Sequence, residues 1–252
     1  MEVKQIANVL DLMEFFAEVQ RPATLAEISK HFGWPRSSTF NLLSTLLGRG
    51  YLYEPRAKEG YYPSSLWSQC IDKIQRAAPT PPQVREMLEA LQAATNETVV
   101  LAVASGSHAL FVETIESSEA VRYSAPIGKR VPLHATATGR ALLSLMPEGD
   151  RASILRKAHF TSYTGATLLS VDAVENEIRK SLKRGHFEGV GEYSEGLSGF
   201  ALPLRDEKGD RQFALLVGGP MFRMTAKRQP VLEAMRKAIH DFLPEYSIAP
   251  SA

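Results

Sequence analysis

Apolar side chains recur at helical spacing over the first fifty residues and alternate along shorter stretches further on. The chain therefore reads as a small helical module followed by a mixed fold. Val3, Ile6, Leu10 and Met13 form one helical stripe, with Asp11, Glu14 and Glu18 on the remaining surface. Gln20-Arg21-Pro22 stops that helix, because proline cannot continue it. Thr24-Leu-Ala-Glu27 is a capping box, in which the threonine accepts from a first-turn amide and the glutamate reaches back. It opens a short helix through Leu25, Ile28 and Phe32, which Gly33 ends. Pro35 suits the first turn of a third helix, where its missing N–H is no loss. That helix carries Leu42, Leu43, Leu46 and Leu47 and closes at Gly48-Arg49-Gly50. Tyr51-Leu52-Tyr53 and Gly60-Tyr61-Tyr62 then flank residues 54–59 as the two strands of a hairpin.

Residues 64–78 read as one further helix, with Trp67, Cys70, Ile71 and Ile74 on a packing stripe. Pro79, Pro81 and Pro82 break the chain after it. Beyond, Val84, Met87, Leu88 and Leu91 mark a helix, and two strand-like runs, 97–103 and 109–115, are separated by the hairpin signal Ser105-Gly106-Ser107. Ser170 caps a helix through Val174, Ile178 and Leu182 that Gly185 stops, and a last helix runs near Lys227 to Leu243. The expected organisation is α+β in three parts. Residues 1–63 form a winged helix-turn-helix, 64–81 a linker helix with a proline-rich connection, and 82–252 a sheet flanked by helices.

Composition narrows the classes. The chain has 252 residues, 44% of them apolar, enough for two modest cores. No apolar run approaches the roughly 18–20 residues of a membrane span, and the N-terminus lacks signal-peptide character. A cytoplasmic protein without a membrane partner is expected. One cysteine excludes an internal disulfide and a Cys-rich zinc site. The net charge of +1 hides a local imbalance. Between Lys30 and Lys58 five basic residues (Lys30, Arg36, Arg49, Arg56, Lys58) stand against Glu54 alone, a surplus of +4 focused on the module that carries the helix pair.

Two short helices joined by a tight glycine turn place the second helix in the major groove of DNA. Its first residues are the candidate readers. Arg36 suits a guanine edge and Asn41 an adenine, while Ser37 and Ser38 suit phosphate or bases. Phe40 fits either a thymine methyl or the core. Arg56 and Lys58, at the hairpin tip, suit phosphate or the minor groove.

These same residues carry a resemblance. Thr24-Leu-Ala-Glu-Ile-Ser, Gly33-Trp-Pro-Arg-Ser-Ser and Arg49-Gly50-Tyr51-Leu52 resemble the winged helix of IclR-type bacterial transcription regulators. The run from Arg122 through Gly139 to Ser144 is similar to the centre of that family's effector domain, and 185–192, 196–204 and 214–220 fall where its last strands lie. The resemblance implies a GAF-like antiparallel sheet flanked by helices, a homodimer or homotetramer on a palindromic double-stranded operator, and a small carboxylic acid as effector. Repression is the family's commoner role. No cofactor, metal or catalytic residue is implied.

By that resemblance the effector pocket falls at Tyr123, Val131, Ala137, Thr138, Gly189, Gly199, Leu216 and Gly218. The run His134-Ala-Thr-Ala-Thr-Gly139 adds a physical reason, since small residues entering a helix leave N–H groups free for an anion. Thr136 and Thr138 either add hydroxyls there or merely cap the helix. Relatives that take very small acids carry acidic, cysteine or serine side chains at several of these positions. The glycines and leucine here point to a larger, more apolar ligand, such as an aromatic acid.

Two other classes compete. An enzyme would need a supported motif, and no nucleophile elbow, zinc helix pair or phosphate loop is present. Six scattered histidines lack ligand spacing. Alternatively, the protein is a structural or interaction module that only dimerises, which would have no need of Arg36 and Asn41 facing outward.

Overall fold

The computed structural model describes residues 3–56, 59–76, 81, 83–209 and 211–248. The chain divides into two compact units, Met1–Pro79 and Thr80–Ala252.

Three helices open the first unit: α1 (Lys4–Val19), α2 (Leu25–Phe32) and α3 (Arg36–Gly48). The capping box is complete, with the Glu27 amide donating to Thr24 Oγ1 and the Thr24 amide donating to the Glu27 carboxylate at 2.7 Å. A two-stranded hairpin, β1 (Leu52–Tyr53) with β2 (Tyr62–Pro63), follows. Tyr61 bridges back to Ala23 just ahead of α2, so the wing is stitched to the helix pair. α4 (Leu66–Arg76) begins against this unit, where Trp67 donates its indole N–H to the Tyr51 carbonyl at 2.9 Å.

The core of this unit joins Leu12, Phe15 and Phe16 to Ile28, Leu43, Leu46 and Leu52. Here the structure departs from the sequence reading. Val3, Ile6 and Leu10 are 54%, 62% and 60% exposed, and only Met13 of that stripe is half-buried. α1 has apolar side chains on two faces, and the aromatic face won. Phe15 and Phe16 bury more area than the aliphatic stripe and meet Phe32 and Tyr62 edge-on at 5.7 and 5.9 Å. Ile71 and Ile74 of α4 are likewise exposed, while Trp67 packs against the core and Cys70 is half-buried with its Sγ 3.9 Å from the Tyr51 hydroxyl.

The second unit runs α5 (Gln83–Thr95), β3 (Thr98–Ser105), β4 (His108–Ile115), β5 (Arg130–Pro132), α6 (Ala137–Leu145), α7 (Glu148–Lys157) and α8 (Val171–Arg184). Then come β6 (Phe187–Val190), β7 (Leu197–Asp206), β8 (Gln212–Pro220), α9 (Met221–Ala226), α10 (Arg228–Phe242) and β9 (Tyr246–Ile248). The sheet order is β5-β4-β3-β8-β7-β6, with β9 beside β6 on the same side of β7, and every pairing is antiparallel. Alternation along the strands splits the interior in two. Val99, Leu101, Phe200, Leu202, Phe213, Leu215 and Val217 face α5 and α10. Val100, Ala102, Ala201, Ala214 and Leu216 face α6 and α8.

Buried charge fastens the elements around the sheet. Glu97, fully buried ahead of β3, accepts from Arg223 of α9 at 2.7 and 2.9 Å, the paired geometry that compensates a buried carboxylate. His186, buried ahead of β6, lies 3.4 Å from an Arg228 nitrogen. Burial first, then the guanidinium groups of Arg184, Arg228 and Arg236, push its pKa down to about 4. The folded protein thus holds His186 neutral while the unfolded chain protonates it near 6.5, so stability falls as pH drops from about 6.5 to 4 and levels off below. This contributes about 2 kcal/mol of acid destabilisation that His186→Asn should remove. Denaturant unfolding of both proteins at pH 7 and 4.5 measures it; equal pH dependence would show that the ring ionises freely.

Candidate functional sites

α3 presents two kinds of surface. Thr39, Leu43 and Leu46 are buried and Leu42 half-buried, so they anchor the helix to the core. Arg36, Ser37, Ser38, Phe40 and Asn41 are all exposed. Phe40, 51% exposed, is therefore on the outer face and not in the core. The set is not uniform. Arg36, Ser37 and Phe40 stand clear, whereas Ser38 and Asn41, with Thr45, border a groove whose other wall is Gln5, Ile6 and Asn8 of α1. Arg56 follows β1 and is exposed, with its guanidinium 3.3 Å from Glu59. Lys58 lies outside the described residues.

The eight positions expected to form a pocket come from six places: Tyr123 from the segment ahead of β5, Val131 from β5, Ala137 and Thr138 from the first turn of α6, Gly189 from β6, Gly199 from β7, and Leu216 and Gly218 from β8. All eight line one cavity. Register explains the last four, since Gly199 pairs with both Gly189 and Gly218, and Leu216 points to the same face. The cavity offers about 70 Å³ to the centres of water-sized molecules. It is smaller than its glycines suggest. A methyl on Gly218 would come 3.2 Å from the Tyr123 ring, and one on Gly199 2.9 Å from the Leu216 side chain, so larger neighbours occupy part of the vacated space.

α6 begins at this cavity. Thr136 caps it, accepting from the Gly139 amide at 3.0 Å, which leaves the N–H groups of Ala137 and Thr138 without partners in the helix. Thr136 is thus a cap and a lining residue at once. His134 does not join it; the ring is buried against Phe160, centroid to centroid 4.9 Å.

Several lining residues were not among the candidates: Phe111, Glu192, Tyr193, Ser194 and Ser198. Glu192 carries the only charged side chain on the wall among the described residues. Its Oε2 lies 2.6 Å from Nη2 of Arg140, a fully buried residue of α6. That guanidinium also donates to the carbonyls of His134 and Glu188 at 3.3 and 2.9 Å. The pair is close but not aligned as a hydrogen bond, so Glu192 Oε2 has no donor among the described residues. From outside, the hydroxyls of Thr164 and Thr167 donate to the carbonyls of Gly191 and Glu192, each at 2.7 Å. Burial pushes the Glu192 carboxyl above the usual carboxylate range, against the pull of Arg140. Burial also raises the Tyr123 hydroxyl.

No helix among the described residues is long and apolar enough to cross a membrane, and no three His, Cys, Asp or Glu side chains among them are placed to hold a metal.

Residues 5–56 match the IclR helix-turn-helix domain and residues 81–242 the bacterial transcriptional regulator IclR C-terminal domain. The acetate operon repressor of Salmonella typhimurium is 30% identical over 240 residues, covering 93% of this chain and 86% of that protein. The fold is shared with the IclR protein of Thermotoga maritima (TM-score 0.73, 18% identity, 96% and 99% of the two chains). It is also shared with an IclR homologue of Microbacterium hydrocarbonoxydans complexed with 4-hydroxybenzoate (TM-score 0.69, 22% identity, 96% and 98%). The chain, a helix-turn-helix unit joined to an antiparallel sheet flanked by helices, belongs to the IclR family of DNA-binding transcriptional regulators.

Proposed function

We propose that the protein represses transcription from a palindromic operator as a homodimer or homotetramer, and that a small, ring-bearing carboxylic acid alters its grip on DNA. Residues 1–63 read the operator, 64–81 connect, and 82–252 bind the effector. Arg36, Ser37, Phe40 and Asn41 meet bases, while Ser38, Arg56 and Lys58 meet the backbone. The effector site comprises Tyr123, Val131, Ala137, Thr138, Gly189, Gly199, Leu216 and Gly218.

One observation carries the effector reading: eight positions spread from 123 to 218 meet at a single cavity where the first turn of a helix is open. Free N–H groups there favour an acid group. Phe111, Tyr123, Tyr193 and Leu216 supply apolar walls for a ring. The Microbacterium homologue, which binds an aromatic acid, supports this choice. To act as an effector, such a ligand must favour one conformation of the protein over another.

Fluorescence anisotropy with DNA from upstream of the gene, against scrambled DNA at two salt concentrations, tests the whole reading. Specific binding that one aromatic acid shifts is expected. Equal, steeply salt-dependent binding to both DNAs would mean only a charged surface.

Homodimerisation has its own support in the solvent-facing Ile6 and Leu10 of α1 and Val3 just ahead of it, an apolar strip that runs into the groove beside α3. Ile6→Asp with Leu10→Asp is expected to leave the fold intact, since both are exposed, and to weaken operator binding by about 100-fold through loss of the second half-site. Sedimentation of the variant reads the assembly directly. An unchanged oligomer would move the contact elsewhere.

A further inference from the structure

The reading of the cavity as an effector site leaves Glu192 unexplained, and the following rests on that reading. A wall built for an anion has little reason to carry a carboxylate, yet Glu192 is the only charged side chain on it among the described residues. Nor is Glu192 loosely placed. Its carbonyl accepts from Thr167, the neighbouring Gly191 carbonyl accepts from Thr164, and its Oε2 rests 2.6 Å from the fully buried Arg140. Arg140 fixes the carboxylate by charge while spending hydrogen bonds on the His134 and Glu188 carbonyls.

The position of this carboxylate relative to α6 is informative. A methyl group on Gly189 would stand 3.4 Å from the amide nitrogen of Ala137 and 3.7 Å from Glu192 Oε2. One donor and one acceptor therefore face the same small space. A carboxylate placed there would satisfy the amide and oppose the glutamate, because it has only lone pairs to offer. A hydroxyl satisfies both, accepting from the amide and donating to the carboxylate.

We propose that Glu192, positioned by Arg140, is a specificity-determining residue that takes a hydrogen bond from a hydroxyl on the effector, so that hydroxylated acids are selected over their plain and O-methylated counterparts. The Ala137 amide and Glu192 together hold the hydroxyl, and the Thr138 amide is left for the acid group. Gly189 is the residue that leaves room for the contact.

Isothermal titration of the full-length protein with matched compounds tests this without any variant. The panel is benzoate, the 2-, 3- and 4-hydroxybenzoates, the corresponding methoxybenzoates, and mandelate beside phenylacetate. At least one hydroxylated member is expected to bind about tenfold or more tightly than both its methoxy and its unsubstituted partner, the size of a charge-assisted hydrogen bond. Glu192→Gln, which keeps an oxygen for Arg140, should shrink that preference several-fold while circular dichroism stays unchanged. Plain and methoxy acids binding as tightly as every hydroxy acid would overturn the role of Glu192 and leave the effector site standing. Uptake of about one proton on binding benzoate, read from titrations in buffers of different ionisation heat, would also overturn it, because the acid's own proton would then be the donor. Binding by no member of the panel would overturn the aromatic-acid reading and this assignment with it.

Discussion

Gly139→Ala is expected to cost the second unit about 3 kcal/mol, the upper range for forcing atoms into a packed interior. The new methyl would fall 2.3 Å from the Leu133 carbonyl oxygen and 2.4 Å from its Cα, both backbone atoms that no side-chain rotation can clear. Leu133 is itself buried beneath α6, so the helix must lift. Lifting it moves the Ala137 and Thr138 amides and the Arg140 guanidinium together. Loss of ligand response is therefore expected at temperatures where the variant is still folded. Both tryptophans, Trp34 and Trp67, lie in the first unit. Their fluorescence should report an unfolding transition near the wild-type midpoint, while far-ultraviolet circular dichroism shows an earlier one. Wild-type midpoints by both probes would mean that α6 rides over the extra carbon without shifting.

Arg36→Ala combined with Asn41→Ala should weaken specific operator binding by about 100-fold or more, at about 1–3 kcal/mol for each lost base contact. Both side chains are exposed, so folding should be untouched. Binding to scrambled DNA should fall far less, with a salt slope lower by about one for the missing cation. Anisotropy titrations on cognate and scrambled duplexes separate the two effects. Asn41 borders the groove shared with α1, whereas Arg36 stands clear of it. If the double variant dissociates in sedimentation, Asn41 belongs to a subunit contact and Arg36 alone reads the base. Unchanged affinity for the operator would place the reading surface elsewhere.

The helix pair was legible because its signals are local. Thr24 and Glu27 sit three residues apart and cap one another, Gly33 follows in the left-handed conformation that ends α2, and the leucines of α3 repeat with the helix. α1 was half legible. Its period announces a helix, but with Leu12, Phe15 and Phe16 on one face and Val3, Ile6 and Leu10 on another, period alone does not say which face meets the core. The pocket positions were reached through family likeness. β7 and β8, which carry Gly199, Leu216 and Gly218, are buried on both faces and so lack the alternation that reveals a side.

Arg140 and Glu192 illustrate a different blind spot. An arginine in a helix ordinarily reads as solvated, and a glutamate between Gly191 and Gly196 reads as loop surface. A signal was available in the company Arg140 keeps: Ala137-Thr-Gly-Arg-Ala-Leu-Leu-Ser-Leu145 offers no polar face, as a helix buried all round does not. A charge inside such a helix demands a partner. Which partner depends on the turn after β6, whose position rests on Thr164 and Thr167 from a loop about 25 residues away.

The sheet that divides two interiors has a consequence for how such a protein changes over generations. Phe200, Leu202, Leu215 and Val217 knit the strands to α5 and α10 on one side, while Gly199, Ala201, Leu216 and Gly218 present the other side to α6 and the cavity. Neighbours in sequence therefore answer to different constraints. A substitution at 199, 216 or 218 reshapes what the cavity admits, and the residues on either side of it keep the strand bonded and the opposite interior filled. On the proposed reading of this cavity as the effector site, ligand preference can drift one position at a time along β7 and β8 without each step having to rebuild the fold.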